Sequence, residues 1–144
     1  MLKNQKKIFM EGNRFMGRGK PHLEFEKLDM ETGWETPPGY PPGMQQKVLT
    51  SDLDEEGKSG SRSRFLRILP GTYSTEPFIH DHWEEVYLCD GDLIVGNDAN
   101  GNGGEKFFAP TYACRPPGVY HGPFKSDEGC VMFELHYYYQ PDPD

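Results

Sequence analysis

Cysteine is scarce in this chain: Cys89, Cys114 and Cys130 are the only three among 144 residues, and no two form a Cys-x-x-Cys pair. An odd and scattered set argues against a disulfide framework, so a reducing cytoplasm is the expected compartment. Long apolar runs are missing as well. None approaches the ~20 residues needed to span a bilayer, and Ile8-Phe9-Met10 is too short for a signal-peptide core. A soluble protein with no membrane partner is expected. Positive charge is outnumbered, with 15 Lys and Arg against 23 Asp and Glu and a net charge of −8, which opposes the phosphate neutralisation that nucleic-acid binding requires. One local exception, Met1 to Lys20, carries Lys3, Lys6, Lys7, Arg14, Arg18 and Lys20 against the single acid Glu11. It reads as a solvated arm or a piece of subunit interface. No internal repeat of solenoid or propeller period is present.

What the chain has in quantity is glycine (17), proline (13) and aromatic residues (13%), on a hydrophobic content of only 35%. That balance favours short strands punctuated by turns, and the length suits one domain. Residues 1–45 read as an irregular extension, because Pro37-Pro38-Gly39-Tyr40-Pro41-Pro42-Gly43 leaves little room for regular structure. This segment is expected to lie on the outside, across a neighbouring subunit in a homodimer. Residues 46–144 read as a single β-domain. Strands are predicted at Gln46 to Thr50, Phe65 to Leu69, Phe78 to His82, Glu84 to Cys89, Leu93 to Asn97, Lys106 to Phe108, Thr111 to Arg115 and Cys130 to Tyr138. Asp90-Gly91 is a hairpin signal, and Asn97 to Gly104 reads as a mobile loop away from any site, its Asn and Gly residues leaving the backbone unrestrained. So many short strands avoid exposed edges by closing into a barrel or jelly roll.

The last strand alternates Val131, Phe133, Leu135 and Tyr137 with Met132, Glu134, His136 and Tyr138. One face is apolar. Glu134 and His136 on the other read as structural or exposed side chains, the alternative being the lining of a wet pocket.

The chemistry concentrates in His80-Asp81-His82-Trp83-Glu84-Glu85 and in Pro116-Pro117-Gly118-Val119-Tyr120-His121. An unbroken strand would set His80, His82 and Glu84 on one face. Imidazole nitrogen with carboxylate oxygen suits Fe, Zn, Ni, Mn or Cu, and a mixed set with open positions is the usual arrangement of a reactive metal.

These two segments resemble the paired motifs of the cupin superfamily. Gly71 opens the first, six residues separate Glu84 from Gly91, and Pro116-x-Gly118-x-x-His121 matches the core of the second. The resemblance covers roughly residues 64 to 137 and implies an all-β, cupin-type antiparallel β-barrel holding one divalent metal ion. The family spacing puts three or four residues between its second histidine and the glutamate. Holding Glu84 in place therefore puts that histidine at His80, leaves Phe78 at the first-histidine position and makes His82 an extra. Pro110 and Lys125 replace the leading glycine and closing asparagine of the second motif.

Two ligand sets follow. Either His80, His82, Glu84 and His121 all bind, or His80, Glu84 and His121 bind and His82 is a catalytic acid or base. Glu85 is the alternative carboxylate. The two-histidine, one-carboxylate set favours Fe(II). Arg115 is a candidate for anchoring substrate, or for a structural ion pair, and Trp83 and Tyr120 are candidates for lining the pocket, or for core.

Resemblance to single-domain cupins that cleave diketones or oxidise small phenolic compounds implies a metal-dependent dioxygenase acting on a small molecule. The other readings are a non-oxidative lyase or isomerase, and a non-enzymatic regulatory module of the anti-sigma-factor type.

Overall fold

The computed structural model describes residues 19–139. The basic arm, apart from its last two residues, lies outside them. Among the described residues there are seven strands: β1 (Met44–Ser51), β2 (Ser61–Ile68), β3 (Trp83–Val95), β4 (Glu105–Phe108), β5 (Thr111–Arg115), β6 (Phe124–Lys125) and β7 (Cys130–Tyr137). All pairings are antiparallel, in the order β1-β2-β7-β3-β4, with β5 and β6 also on β3. The architecture is an all-β barrel of jelly-roll type, and no helix among the described residues is long and apolar enough to cross a membrane.

β3 is the spine of the barrel. Its first half pairs with β7 and β5, and its second half with β4 and β6. The sequence predicts two strands here with a hairpin at Asp90-Gly91, but the chain runs straight through. A register shift between Leu88 and Asp90 absorbs the irregularity as a bulge, after which the strand changes partners. Gly91 has φ +86°, and a Cβ there would meet the Gly129 carbonyl oxygen at 2.0 Å, so the crossing of β3 over the start of β7 requires glycine. Phe78 to His82, expected as a strand, makes a single bridge from Phe78 to His121.

Register builds an interior of two halves. Even-numbered residues of β1, β2, β3 and β7 face inward up to the bulge. At one end Met44, Leu66, Ile68, Leu88, Cys130 and Met132 pack as the apolar core. At the other end the same rows continue as Gln46, Arg64, Glu84, Glu134 and His136, all buried. Ile68 stands opposite Cys130, Leu66 opposite Met132, Arg64 opposite Glu134 and Arg62 opposite His136, so on the β2–β7 ladder apolar meets apolar and polar meets polar.

β7 therefore presents its more polar face inward. Val131, Phe133, Leu135 and Tyr137 face outward and are half-buried, with Phe133 edge-on to Phe65 at 5.6 Å and Tyr137 parallel to Trp83 at 6.4 Å.

Two outer segments are more ordered than the sequence implied. Tyr40, in the proline-rich stretch expected outside, packs against the core cluster and Phe78 and accepts a hydrogen bond from Arg64 Nη2 at 3.1 Å. The run 97–104 is held by Asp98, whose Oδ1 accepts the backbone N–H groups of Asn100 and Asn102, while buried Asn97 donates to the Ser74 carbonyl.

Past the bulge, Asp92 is 1% exposed and accepts from Ser126 Oγ and from the backbone N–H groups of Asp127 and Glu128 at 2.9–3.0 Å. Burial works to raise its carboxyl, but these donors outweigh it and hold the group below the usual carboxylate range. Asp92→Ala would leave two part-buried N–H groups, those of Asp127 and Glu128, without this partner. It should cost about 2–4 kcal/mol of unfolding free energy in urea titrations at pH 7. The contribution is full above the unfolded-state value and falls away as the pH drops below about 4. An Asp92→Ala protein as stable as the parent would show that the β6–β7 turn does not depend on this carboxylate.

Candidate metal centre

The site is assembled where two non-strand segments meet the polar end of the barrel. Phe78 and His121 exchange backbone hydrogen bonds at 2.7 and 3.0 Å, and Gly118 N–H donates to the His80 carbonyl at 2.9 Å. These bonds tie the segment carrying His80 to the segment carrying His121. Glu84, one residue into β3, points inward between them and lies opposite both His136 on β7 and Arg115 on β5.

Glu84 is the common partner. Its Oε1 accepts from Arg115 Nη1 at 2.8 Å. Its Oε2 faces His80 Nε2 at 2.8 Å, His136 Nε2 at 3.2 Å and His121 Nε2 at 3.9 Å. Burial alone would raise this carboxyl, but hydrogen bonds from His136 and His80, with the potential of His136 and His121, hold it well below the usual range. These partners favour the ionised form of Glu84.

Hydrogen bonding at the far side of each imidazole decides what its near side offers. His80 Nδ1 lies 3.0 Å from the His82 carbonyl and His121 Nδ1 lies 3.0 Å from the Val119 carbonyl. A carbonyl accepts only, so both Nδ1 atoms carry a proton; each Nε2 then either shares a second proton with Glu84, as His80 does in donating to Oε2, or offers its lone pair to a cation that takes that proton's place. Two Nε2 atoms and a carboxylate oxygen converge, all within 4.8 Å of one another. Three lone-pair donors turned on one point suit a divalent cation, and an imidazole anchored through Nδ1–H to a carbonyl is the usual posture of a metal-binding histidine.

His136 has the opposite arrangement. Arg62 donates to its Nδ1 from Nε at 3.0 Å and from Nη2 at 2.7 Å. Because a guanidinium has no acceptor, that Nδ1 is bare and the proton sits on Nε2, aimed at Glu84. His136 is 1% exposed and its Nε2 finds no well-aligned acceptor, although Glu84 and Glu134 oxygens lie at 3.2 and 3.8 Å. Glu84, Glu134 and His136 form a second cluster of metal-capable atoms, but this tautomer makes His136 a donor there and not a ligand. Sequence reading passed it over because a single histidine in a period-two strand does not reveal which face is inside.

His82 is 2% exposed and belongs to neither cluster. Its ring stacks on His80 at 3.9 Å, its Nδ1 faces the Trp83 carbonyl at 3.1 Å and its Nε2 lies 3.7 Å from Glu55 Oε1. The segment 80–82 is not a strand, so the alternation that would carry His80, His82 and Glu84 onto one face is absent. Burial, followed by the neighbouring charge of His80, pushes His82 down to about 4, so it is neutral at pH 7 and does not titrate near the working pH.

The remaining candidates separate by strand parity. Glu85 points outward, where Tyr112 and Tyr137 donate to it, and is remote from the cluster. Trp83 is on the same outer side, against Tyr137 and Tyr139. Tyr120 is 68% exposed. Arg115 is committed to Glu84 and packs its guanidinium over Phe124 at 5.5 Å.

Glu84 also stands at the junction of two cavities. A pocket of about 30 Å³ lies on the apolar side against Met132, Leu93 and Phe124. A polar cavity of about 650 Å³ opens on the other side, lined among others by Arg62, Arg64, His80, His82 and His136.

Comparison with solved structures identifies the fold. An RmlC-like cupin from Shewanella frigidimarina NCIMB 400 superposes with a TM-score of 0.56 at 19% identity, covering 83% of this chain and 96% of that one. An acetylacetone dioxygenase from Acinetobacter johnsonii gives 0.55 at 18% identity, with 83% and 78% covered. The polyketide cyclase RemF from Streptomyces resistomycificus gives 0.57 at 16% identity, with 83% of each chain covered. No protein-family model matches the chain, and no curated protein matches it significantly. The fold is that of the cupins.

Nitrogen-15 NMR of chelator-treated protein at pH 7 should find His80 and His121 protonated on Nδ1 and His136 protonated on Nε2. Arg62→Ala should release the His136 preference, and a His136 proton on Nδ1 in the parent would contradict the assignment. The pH dependence of stability has a defined sign. With a folded-state value of about 4 against about 6.5 unfolded, the unfolded state binds more protons between those limits. His82 therefore contributes its full stability above about pH 6.5 and loses it as the pH falls towards about 4. Melting temperatures across that window should fall less for His82→Gln than for the parent. A residual slope should remain, because burial also lowers His121.

Proposed function

We propose that this cupin-fold chain is a metal-dependent enzyme in which His80, Glu84 and His121 hold one divalent ion that acts on a small molecule admitted through the polar cavity. The observation that carries this reading is the convergence of two ring nitrogens on one carboxylate oxygen. Two imidazoles, with their Nδ1–H groups committed to backbone carbonyls, turn their Nε2 atoms on one carboxylate oxygen, where a divalent ion would replace the proton they share with it. Two imidazoles and one carboxylate favour Fe(II), with Zn, Ni, Mn and Cu as the alternatives. When bound, the ion polarises an enol or phenol oxygen and, as Fe(II), gives access to oxygen chemistry.

The chain's own residues supply the rest. Arg115 keeps Glu84 oriented through Oε1, leaving Oε2 for the ion. Phe78 and Phe124 flank the His121 ring at centroid distances of 6.2 and 6.0 Å and exclude water on that side. His82 stacks on His80 and limits its rotation, a positioning role and not that of a ligand. His136 directs its Nε2–H into the site and is placed to donate a hydrogen bond to a substrate oxygen that approaches Glu84.

Among reactions, oxidative cleavage of a small diketone or oxidation of a small phenolic compound suits this ion and a cavity of about 650 Å³, and the fold is shared with an acetylacetone dioxygenase. A non-oxidative lyase or isomerase would use the same residues, and the shared fold of a polyketide cyclase keeps that second reading in view.

Metal content measured by plasma mass spectrometry, on protein purified without chelators or a metal-affinity tag, should drop more than about tenfold in His80→Ala, Glu84→Ala and His121→Ala, because each removes a direct bond. His82→Ala and Glu85→Ala should retain the ion, the former with at most the ~10- to 100-fold affinity loss typical of outer partners. If His82→Ala strips the ion as completely as His121→Ala, His82 belongs in the ligand set. A parent protein that stays metal-free after growth in supplemented medium removes the metal reading altogether. Oxygen uptake with acetylacetone and catechol, run beside anaerobic product analysis, separates the dioxygenase from the lyase.

A further inference from the structure

The inward charges of the barrel do not cancel. Arg64 pairs with Glu134 at 3.2 Å and is fully occupied, since it also donates to Gln46 Oε1 at 2.7 Å and to Tyr40. Arg115 pairs with Glu84 at 2.8 Å. Arg62 is the odd member. It is half-buried on the wall of the 650 Å³ cavity, and no carboxylate lies within ion-pair distance of it among the described residues. Its described hydrogen bonds run to one neutral nitrogen, His136 Nδ1.

A guanidinium has five N–H donors in a planar fork, so two donors on a single imidazole nitrogen leave most of its capacity unused. Two rim acids, Asp54 and Glu55, share the cavity lining. Glu55 favours the charge of Arg62 from a distance, but it is 64% exposed and turned towards His82. Burial and the neighbouring Arg64 work against the charge, in that order. A half-buried cation that lacks an acid, beside a second cation and facing a cavity, is an anion receptor in waiting.

We propose that Arg62 binds a carboxylate of the substrate, so that the enzyme acts on a small anionic compound whose opposite end carries the oxygen facing His80, Glu84 and His121. The position of that oxygen rests on the metal reading above, whereas the anion preference does not. Geometry sets the spacing. Arg62 contacts one nitrogen of the His136 ring at 2.7 Å, and the other nitrogen lies 3.2 Å from Glu84 Oε2, so one imidazole ring and a contact distance on either side of it separate the anion receptor from the metal ligands. An aromatic or short-chain acid spans that gap, and a neutral diketone leaves Arg62 without a partner.

The test compares 3,4-dihydroxybenzoate with catechol, which share a chelating end and differ by one carboxylate. Binding is measured calorimetrically on zinc-loaded protein. The parent should bind the acid about ten- to a hundredfold more tightly, as a charge-assisted fork predicts. Arg62→Gln should erase that preference, read as the ratio of the two affinities because losing the Arg62 contact to His136 acts on both compounds alike, and Arg62→Lys should keep part of it. Equal affinity of the parent for the two compounds, or a preference that survives in Arg62→Gln, overturns the proposal, and the first comparison needs no variant to fold.

A separate arm uses chelator-treated protein with benzoate and benzyl alcohol, which cannot chelate. The Arg62-dependent preference should persist there. If it does while catechol binds equally with and without zinc, the metal reading fails and Arg62 keeps its role. If catechol binding requires zinc and benzoate gains nothing, Arg62 alone loses it.

Discussion

A carboxylate that is only 5% exposed, Glu84, is the group on which this barrel depends. Removing an ionised carboxylate from water costs several kcal/mol unless its oxygens are matched by donors or cations. Glu84 is matched on both sides. Arg115 takes one oxygen, and three imidazoles from three different segments converge on the other. The partners come from β5, β7 and the two linking segments around His80 and His121, so the requirement to compensate one charge ties together parts of the chain more than 50 residues apart. A buried charge cluster of this kind is an inefficient way to gain stability, which is why its retention points to chemistry.

Strand register extends that compensation through the interior. Because β2, β7 and the part of β3 ahead of its bulge pair without slippage, three polar pairs face each other: Arg62 with His136, Arg64 with Glu134, His136 with Glu84. A slip of one residue would turn the whole set outward. The apolar floor at the other end, from Met44 to Met132, excludes water below the site and lowers the local dielectric. Arginines then do two different jobs two residues apart on one strand. Arg64 neutralises a buried acid, and Arg62 sets the tautomer of His136 while its remaining donors face the cavity.

The same partition accounts for the outside of the barrel. Val131, Phe133, Leu135 and Tyr137 on β7 are half-buried on the outer surface, where Phe65 and Trp83 pack against them across the ladder. Alternation in a strand reports two faces without saying which is inside. The convention that the apolar face is the core fails when the interior houses a site.

Much of this protein was nonetheless legible in its residue order. Turn-rich composition and closely spaced strand candidates led to an all-β barrel, and the pair of segments around His80 to Glu84 and His121 led to the place where donor atoms converge. Those features are local: turn chemistry, strand periodicity and the identity of metal-capable side chains act over a few residues. Tertiary structure alone decided the rest. Whether Asp90-Gly91 ends a strand depended on Gly129 lying beneath it, and the separation of Glu84 from Glu85 depended on which side of β3 the core lies. Whether each Nδ1 must carry a proton depended on whether a carbonyl or a guanidinium sits behind the ring. Such outcomes are set by contacts between residues distant in sequence, so no window along the chain contains them.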